Sequence, residues 1–522
     1  MEKTEKRGKI DPQIFWPALI IVLAVCIPSV INPEAAGTAV NVIMAWTTGA
    51  FGWWFLIFGL FCLLGCIWLA FGRYGTVVMG KPGANEKAEY SYFSYVAMLF
   101  CAGMGISLLY WSIIEPVYYM TGPPFGLEVG SAEATEWAAT YGPFHWGLIP
   151  WAFFGITSVP IAYNYYVRRN PRLRMSTASG SILGKYTDRW PGKVIDACVM
   201  FGLIGGVGTS LGLATPMISA FAATLFGVEE TMGVKVVIIV IWTALFSLSV
   251  FRGLKKGIKI LSDINIALAV GLALFILFAG PTLFIIDSFV NGLGLQFTNF
   301  IRMSLYSEPI TGNGWSKGWT VFFWAWWIAY APFMGLFVAR ISRGRTIREI
   351  VIGNVVWGSL GCWVYFAILG GYSIFTELNG KVPVTKMMED VGGNMTIVNI
   401  VQSLPLPMLV IPVFIILQFI FAATTLDSSA YVLASVCTKE LTADEEPAVW
   451  NRLFWAFMLG GVSLVLMLIG GLKPLQTASI VVGLPLTGLM ILLLVAFLKD
   501  IKQDYGKGTA AKSPEPLESK AE

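Results

Sequence analysis

The sequence predicts an all-α membrane protein of about twelve transmembrane helices, on three observations. Hydrophobic residues make up 56% of the 522-residue chain and charged residues only 13%, with a mean hydropathy of +0.71. Apolar stretches of about 20 residues, the length a helix needs to cross the hydrocarbon core, recur from end to end. Lysine and arginine fall in alternate loops, the bias that orients such proteins.

The spans begin near Ile14, Phe51, Tyr92, Gly142, Ile195, Val236, Ile260, Val321, Ile350, Met408, Phe454 and Ile480. Lys3, Lys6, Arg7 and Lys9 precede span one, and Arg73, Lys81 and Lys87 follow span two. Arg168, Arg169, Arg172 and Arg174 follow span four, Arg252, Lys255, Lys256 and Lys259 follow span six, and Arg340, Arg343, Arg345 and Arg348 follow span eight. Cytoplasmic loops hold the basic excess, so these loops and both termini are expected inside. The opposite loops, Thr121 to Trp137 and Gly227 to Gly233, are acidic or neutral. The N-terminus is polar, with no cleavable signal peptide. The net charge of +4 is therefore topological and no evidence for nucleic-acid binding.

This order divides the chain into a cytoplasmic N-terminus (1–12), two accessory spans with a loop (13–90), a first set of five spans (91–291), an amphipathic linker helix (292–316), a second set of five (317–498) and a disordered cytoplasmic tail (499–522). Two sets of five read as inverted repeats, which place substrate and ion sites near the midplane.

Two spans combine helix breaking with unusual chemistry. Span three carries Gly103 and Gly105, which allow the helix to unwind and expose carbonyls; such backbone is tolerated at membrane depth only where protein or water covers it. Close helix packing through small residues is the other reading. Span eight opens with Trp319, Phe323, Trp326 and Tyr330 on one helical face, Trp327 some 80° round and Trp324 pointing elsewhere. Aromatic faces hold quaternary ammonium groups, at roughly 0.5 to 2 kcal/mol per desolvated contact. The same run also fits an interfacial anchoring belt, and both readings stay open at this level.

Charges within spans are functional candidates: Glu115 after the broken span, Asp263 in span seven, and Asp427 in the hydroxyl-rich Thr424-Thr425-Leu426-Asp427-Ser428-Ser429. Hydroxyls and freed carbonyls suit a hard cation, although Ser and Thr also bond their own helix backbone. One histidine, His145, cannot build a metal site or a conventional triad, and it reads as structural. All seven cysteines lie in or near apolar spans and form no disulfide or zinc pattern. No clustered nucleophile and base supports an enzyme, and no repeated filter supports a channel.

Phe322 to Arg348, FFWAWWIAYAPFMGLFVARISRGRTIR, closely resembles the signature of the betaine/carnitine/choline transporter (BCCT) family. Supporting segments are Ala102-Gly103-Met104-Gly105 with Glu115-Pro116, Phe144-His145-Trp146 with Pro150-Trp151, Gly208 to Gly212, and Gly470-Gly471-Leu472-Lys473-Pro474. The resemblance implies a leucine-transporter-type fold with two inverted five-helix repeats, alternating access, a bacterial cytoplasmic (inner) membrane location and a homotrimer. It places an aromatic box on Trp326, Trp327, Tyr330 and Tyr118, with Trp146 and Trp319 nearby; Gly103 and Gly105 are plausible partners for the substrate carboxylate. Tyr330 resembles the carnitine branch, and Phe154 stands where betaine carriers can have Tyr. Sodium-coupled members hold the ion at positions matching the Cys101, Met104 and Phe421 carbonyls and the Thr424 and Thr425 hydroxyls, with a second sodium site matching Thr209, Ser210 and Asn265. Exchangers of the carnitine type lose the Gly-Met-Gly and have an arginine where Asn265 stands. The expected function is sodium-coupled import of a zwitterionic onium compound (glycine betaine, carnitine or dimethylsulfoniopropionate), with sodium-independent carnitine/butyrobetaine exchange as the alternative, and no cofactor beyond the coupling ion.

Overall fold

Helices begin where the sequence supplies caps. A computed structural model describes residues 9–81, 86–105, 107–253, 259–441, 445–469 and 472–506. The basic residues Lys3, Lys6, Arg7, Lys255 and Lys256, together with Gly470 and Gly471, lie outside that set. Asp11 caps α1 (Pro12–Ile31) and Asn32 caps α2 (Pro33–Phe71), each by accepting a backbone N–H, and each is followed by proline at the first helical position, where no donor is needed. Span three is α3 (Tyr92–Met104) and α4 (Ser107–Thr121), bent by 58° at their junction.

Span four starts earlier than hydropathy alone indicates. Ser131 accepts the Ala134 N–H and starts α5 (Ala132–His145), so Trp137 is helical and not in the preceding loop. Trp146 and Gly147 then separate α5 from α6 (Leu148–Ala162). Spans five to seven are α7 (Trp190–Phe226), α8 (Met232–Gly253) and α9 (Lys259–Ala279).

The connection between the halves differs from the expected helix beginning at 292. Gly280 and Pro281 end span seven, and α10 (Thr282–Thr298) starts at once, with the short α11 (Phe300–Leu305) after Asn299. Proline cannot continue the ladder, which moves the boundary upstream.

Span eight opens with a wide π turn, Lys317–Val321, followed by α12 (Phe322–Ile341). The second set continues through α13 (Ile347–Ile352), α14 (Ser359–Tyr365) and α15 (Gly371–Leu378), joined by π turns. It ends with α16 (Val384–Asp390), α17 (Gly392–Gln402), α18 (Pro407–Cys437), α19 (Val449–Ile469) and α20 (Leu472–Tyr505). Among the described residues ten helices are long and apolar enough to cross a membrane, eleven with the bent pair counted as one span, and α19 contains a shorter apolar helix. The protein is thus a multi-pass, nearly all-helical membrane protein.

Every residue of α12 is buried, packed by α6, α7 and α20. Exposed tryptophans lie elsewhere, as at Trp16, Trp46 and Trp53. The aromatic run from Phe322 onward is therefore interior, and the lipid-belt reading fails for it.

Basic residues of the loops after spans four and eight pair with segments distant in sequence. Arg168 bonds Asp504 at 2.9 Å and pairs with Asp500 at 3.0 Å, while Arg174 reaches Asp11 at 3.0 Å and the Thr438 carbonyl at 2.7 Å. Arg345 donates to the Tyr90 carbonyl at 2.7 Å, and Arg343 to Glu86 at 2.6 Å. These pairs correct the expected tail: the chain stays helical through Tyr505, because Arg168 and Tyr163 hold Asp504, and only 507–522 falls outside the described residues. Burial pushes the Asp11 carboxyl up, but Lys193 and Arg174 outweigh it and hold the group below its ordinary value.

Candidate substrate cavity and ion site

The break in span three and the aromatic face of span eight meet at one cavity. It is lined by Gly103 and Ser107 from the broken span, Trp146 from the α5–α6 junction, Ser210 from α7, and Trp326, Trp327 and Tyr330 from α12. Trp146 lies 5.3 Å from Trp327, at 78° between planes, and 5.8 Å from Trp326, at 85°. Phe154 backs Trp327 at 5.2 Å, and Ser210 reaches the Tyr330 hydroxyl. Gly206 makes room for Tyr330, since a Cβ there would press on the ring. Every lining group is neutral. The enclosed volume is only about 10 Å³, the space of about one water, so the rings nearly close on one another.

Tyr118, expected in the box, and Trp319, expected nearby, stand one layer away, whereas Trp146, also expected nearby, lines the cavity. Tyr118 and Trp319 pair at 5.2 Å, and Trp111 bridges them to the cavity, 6.2 Å from Tyr118, 6.3 Å from Trp319 and 6.4 Å from Trp326. The π turn that contains Trp319 breaks the ideal helical register with Trp326. Trp111 and Ser107 were not foreseen: buried aromatics are common in spans, and a serine beside a helix break carries no signal of which way it faces. Trp324 packs away from the cavity, against Phe144 at 5.4 Å and Phe153 at 6.2 Å.

Gly103 and Gly105 do different work. Gly103 remains helical and leaves space for Met334, Phe154 and Trp151, whereas Gly105 has φ +48° and ends α3. The last four carbonyls of a helix lack intrahelical donors, so those of Cys101 to Met104 are freed at this point. Thr425 of α18 meets the break directly: a Cβ on Gly105 would collide with its hydroxyl, and Thr425 Oγ1 is buried with no hydrogen-bond partner. Thr424 differs, donating to the Phe421 carbonyl at 3.0 Å. The Cys101 Sγ lies 3.8 Å from the Ser262 carbonyl and 3.8 Å from Asn265 Nδ2. Asn265 and Ser210 therefore have different neighbours, and the Thr209 side chain lies outside the described residues.

Behind the cavity, Glu115 is fully buried and accepts the Trp146 indole N–H at 2.8 Å and the Tyr119 hydroxyl at 2.6 Å. His145 lies 2.8 Å from the Tyr119 oxygen and 3.0 Å from Thr320 Oγ1. Asp427 accepts a hydrogen bond from Ser249, and Asp263 pairs with Lys259 at 2.7 Å. No group of three or more metal-ligating side chains occurs among the described residues.

A model of the BCCT family, described as betaine/carnitine/choline family transporter, matches residues 13–506. The chain belongs to the betaine/carnitine/choline transporter family. It is a membrane transporter and not an enzyme. Among solved structures, this BCCT protein is similar to a Na+-coupled sialic acid symporter in its substrate-bound outward-open state, at 14% identity and a TM-score of 0.44 over 90% of this chain and 92% of that one.

Proposed function

We propose that this transporter carries a zwitterionic onium compound, its trimethylammonium or dimethylsulfonium head enclosed by Trp326, Trp327, Tyr330 and Trp146, in symport with sodium. The observation that carries the reading is the juxtaposition of these rings with Gly103 of the broken span in one neutral cavity. An onium head offers no hydrogen bond, and aromatic faces are the groups that hold it. It is larger than the present cavity, so binding requires the rings to part. Tyr118, Trp319 and Trp111 then line the approach. Glycine betaine, carnitine and dimethylsulfoniopropionate all satisfy this cage, and Tyr330 favours carnitine by its likeness to that branch.

Sodium fits the second feature. The unpartnered Thr425 hydroxyl, next to the carbonyls freed at Cys101 to Met104, offers oxygen ligands of the kind hard cations take. The Phe421 carbonyl and Thr424 hydroxyl, now bonded to each other, complete the proposed set. In transport, ion and substrate bind from outside, the helices carrying the break rock against the remainder, and both are released inward. The ion pairs that join the basic loops after spans four and eight to Asp11, Glu86 and Asp504 support a cytoplasmic placement of these loops and of both termini; a bacterial inner membrane and a homotrimer are part of this proposal, by the resemblance to the family.

The test is uptake into proteoliposomes under a sodium gradient. Accumulation of labelled betaine or carnitine that disappears without sodium supports symport. Undiminished uptake without sodium, stimulated by substrate on the opposite side, establishes the exchanger instead.

A further inference from the structure

Glu115 has no role in a cage made of neutral rings, yet it sits directly behind one of them. It lies on α4, fully buried, and one of its oxygens takes the indole N–H of Trp146, whose other side faces the cavity. No lysine or arginine pairs with it among the described residues; its ionisable neighbours are His145 and Tyr119.

The geometry of that trio fits a neutral histidine. Tyr119 lies 2.6 Å from Glu115 Oε1 and 2.8 Å from His145 Nδ1, whereas His145 Nδ1 lies 3.2 Å from the same carboxylate oxygen. An imidazolium paired directly with a carboxylate closes to about 2.7–2.9 Å. The shorter route runs through tyrosine: the Tyr119 O–H donates to Glu115, and in the Nδ1-protonated tautomer the His145 Nδ1–H donates to the Tyr119 oxygen. On the far side of the ring Nε2 lies 3.0 Å from the Thr320 hydroxyl, which donates to it in the same tautomer. In this arrangement every ring partner is satisfied with a neutral histidine, and the two neutral donors on Glu115, the Trp146 indole and the Tyr119 hydroxyl, suit an ionised carboxylate.

We propose that Glu115 is the specificity-determining counter-charge of the cavity: through Trp146 it aims an uncompensated negative field at the site, which an onium head relieves and an uncharged head of the same shape does not. This rests on the onium reading above. It also gives Trp146 a polar anchor that fixes its plane, so Glu115 acts as a positioning residue as well. Field and positioning are separable, because loss of positioning weakens every occupant alike.

The experiment is equilibrium binding to purified protein of glycine betaine and of its carbon isostere 3,3-dimethylbutanoate, which keeps shape and carboxylate but lacks the cationic charge. In E115Q, glycine betaine is expected to weaken about tenfold while the isostere is unweakened, a loss of preference set by Coulomb attraction at low dielectric. Parallel weakening of both ligands, or no change in either, overturns the inference. If E115Q does not fold, Glu115→Asp keeps the charge but shortens its reach to Trp146; both ligands then weaken with the preference retained, and a lost preference overturns the inference. If glycine betaine fails to bind the native protein, the onium reading itself falls; if it binds native protein and E115Q alike, only the role of Glu115 does.

Discussion

Trp327 has Trp146, Phe154 and Trp151 around it, with centroids at 5.3, 5.2 and 6.1 Å. Substituting Leu keeps the position apolar and removes one π face, worth about 0.5–2 kcal/mol, so the apparent dissociation constant should rise about two- to thirtyfold with little change in thermal midpoint. Unchanged affinity would remove Trp327 from the site. Thr424 and Thr425 separate in the same way. Thr425→Ala deletes the unpartnered hydroxyl and should raise half-saturating sodium about tenfold, whereas Thr424→Ala, which removes a ligand of the proposed set but frees the Phe421 carbonyl that it now occupies, should raise it less, about threefold. Sodium titrations of substrate binding decide it, and equal shifts would contradict the assignment. The residue types in both pairs were legible in the sequence. Which threonine faces the break was not, because adjacent helical positions differ by about 100° and only the neighbouring helix says which is occupied.

The bent pair α3–α4 is the element on which both sites depend. Two glycines in sequence mark the break without saying which one makes it, since either permits an unusual backbone. The structure divides them: Gly105 takes φ +48° against Thr425, and Gly103 stays helical under Met334. Gly105→Ala is accordingly expected to cost about 1–3 kcal/mol and to disturb sodium binding with it. A lowered thermal midpoint in detergent together with weakened sodium dependence is the expected result; a native-like midpoint would show that the break tolerates a side chain. The π turn at Lys317–Val321 marks the corresponding start of span eight, and no composition or periodicity pointed to it. A wide turn differs from an α turn only in its hydrogen-bond partner, which packing selects.

Across the whole molecule, the basic loops are held by pairs between segments far apart in sequence. Asp11, Arg174 and Lys193 join the start of α1 to the loop after span four and the start of α7. Because the Asp11 carboxyl is held below its ordinary value, its contribution is fully present above the unfolded value, about pH 4, and is lost as the pH falls through the depressed one. The native protein should therefore lose thermal stability below about pH 4 more steeply than Asp11→Asn, which lacks the pair at every pH. Parallel acid profiles of the two would show that the pair contributes nothing. The same network explains why the last span continues to Tyr505: Asp500 and Asp504 look like part of a polar tail until Arg168 is placed beside them.

Sequence by itself determined the membrane class, the order of the spans, the basic loops and the family, because hydropathy, charge bias and an almost continuous signature are local properties of the chain. It also named the rings of α12. Only the tertiary structure decided that Trp326, Trp327 and Tyr330 close on Trp146 while Tyr118 and Trp319 stand a layer off, that Thr425 meets Gly105, and that Glu115 lies behind the cage. Those relations join residues from different helices, and their distances depend on how the helices pack, a quantity that no window of sequence contains.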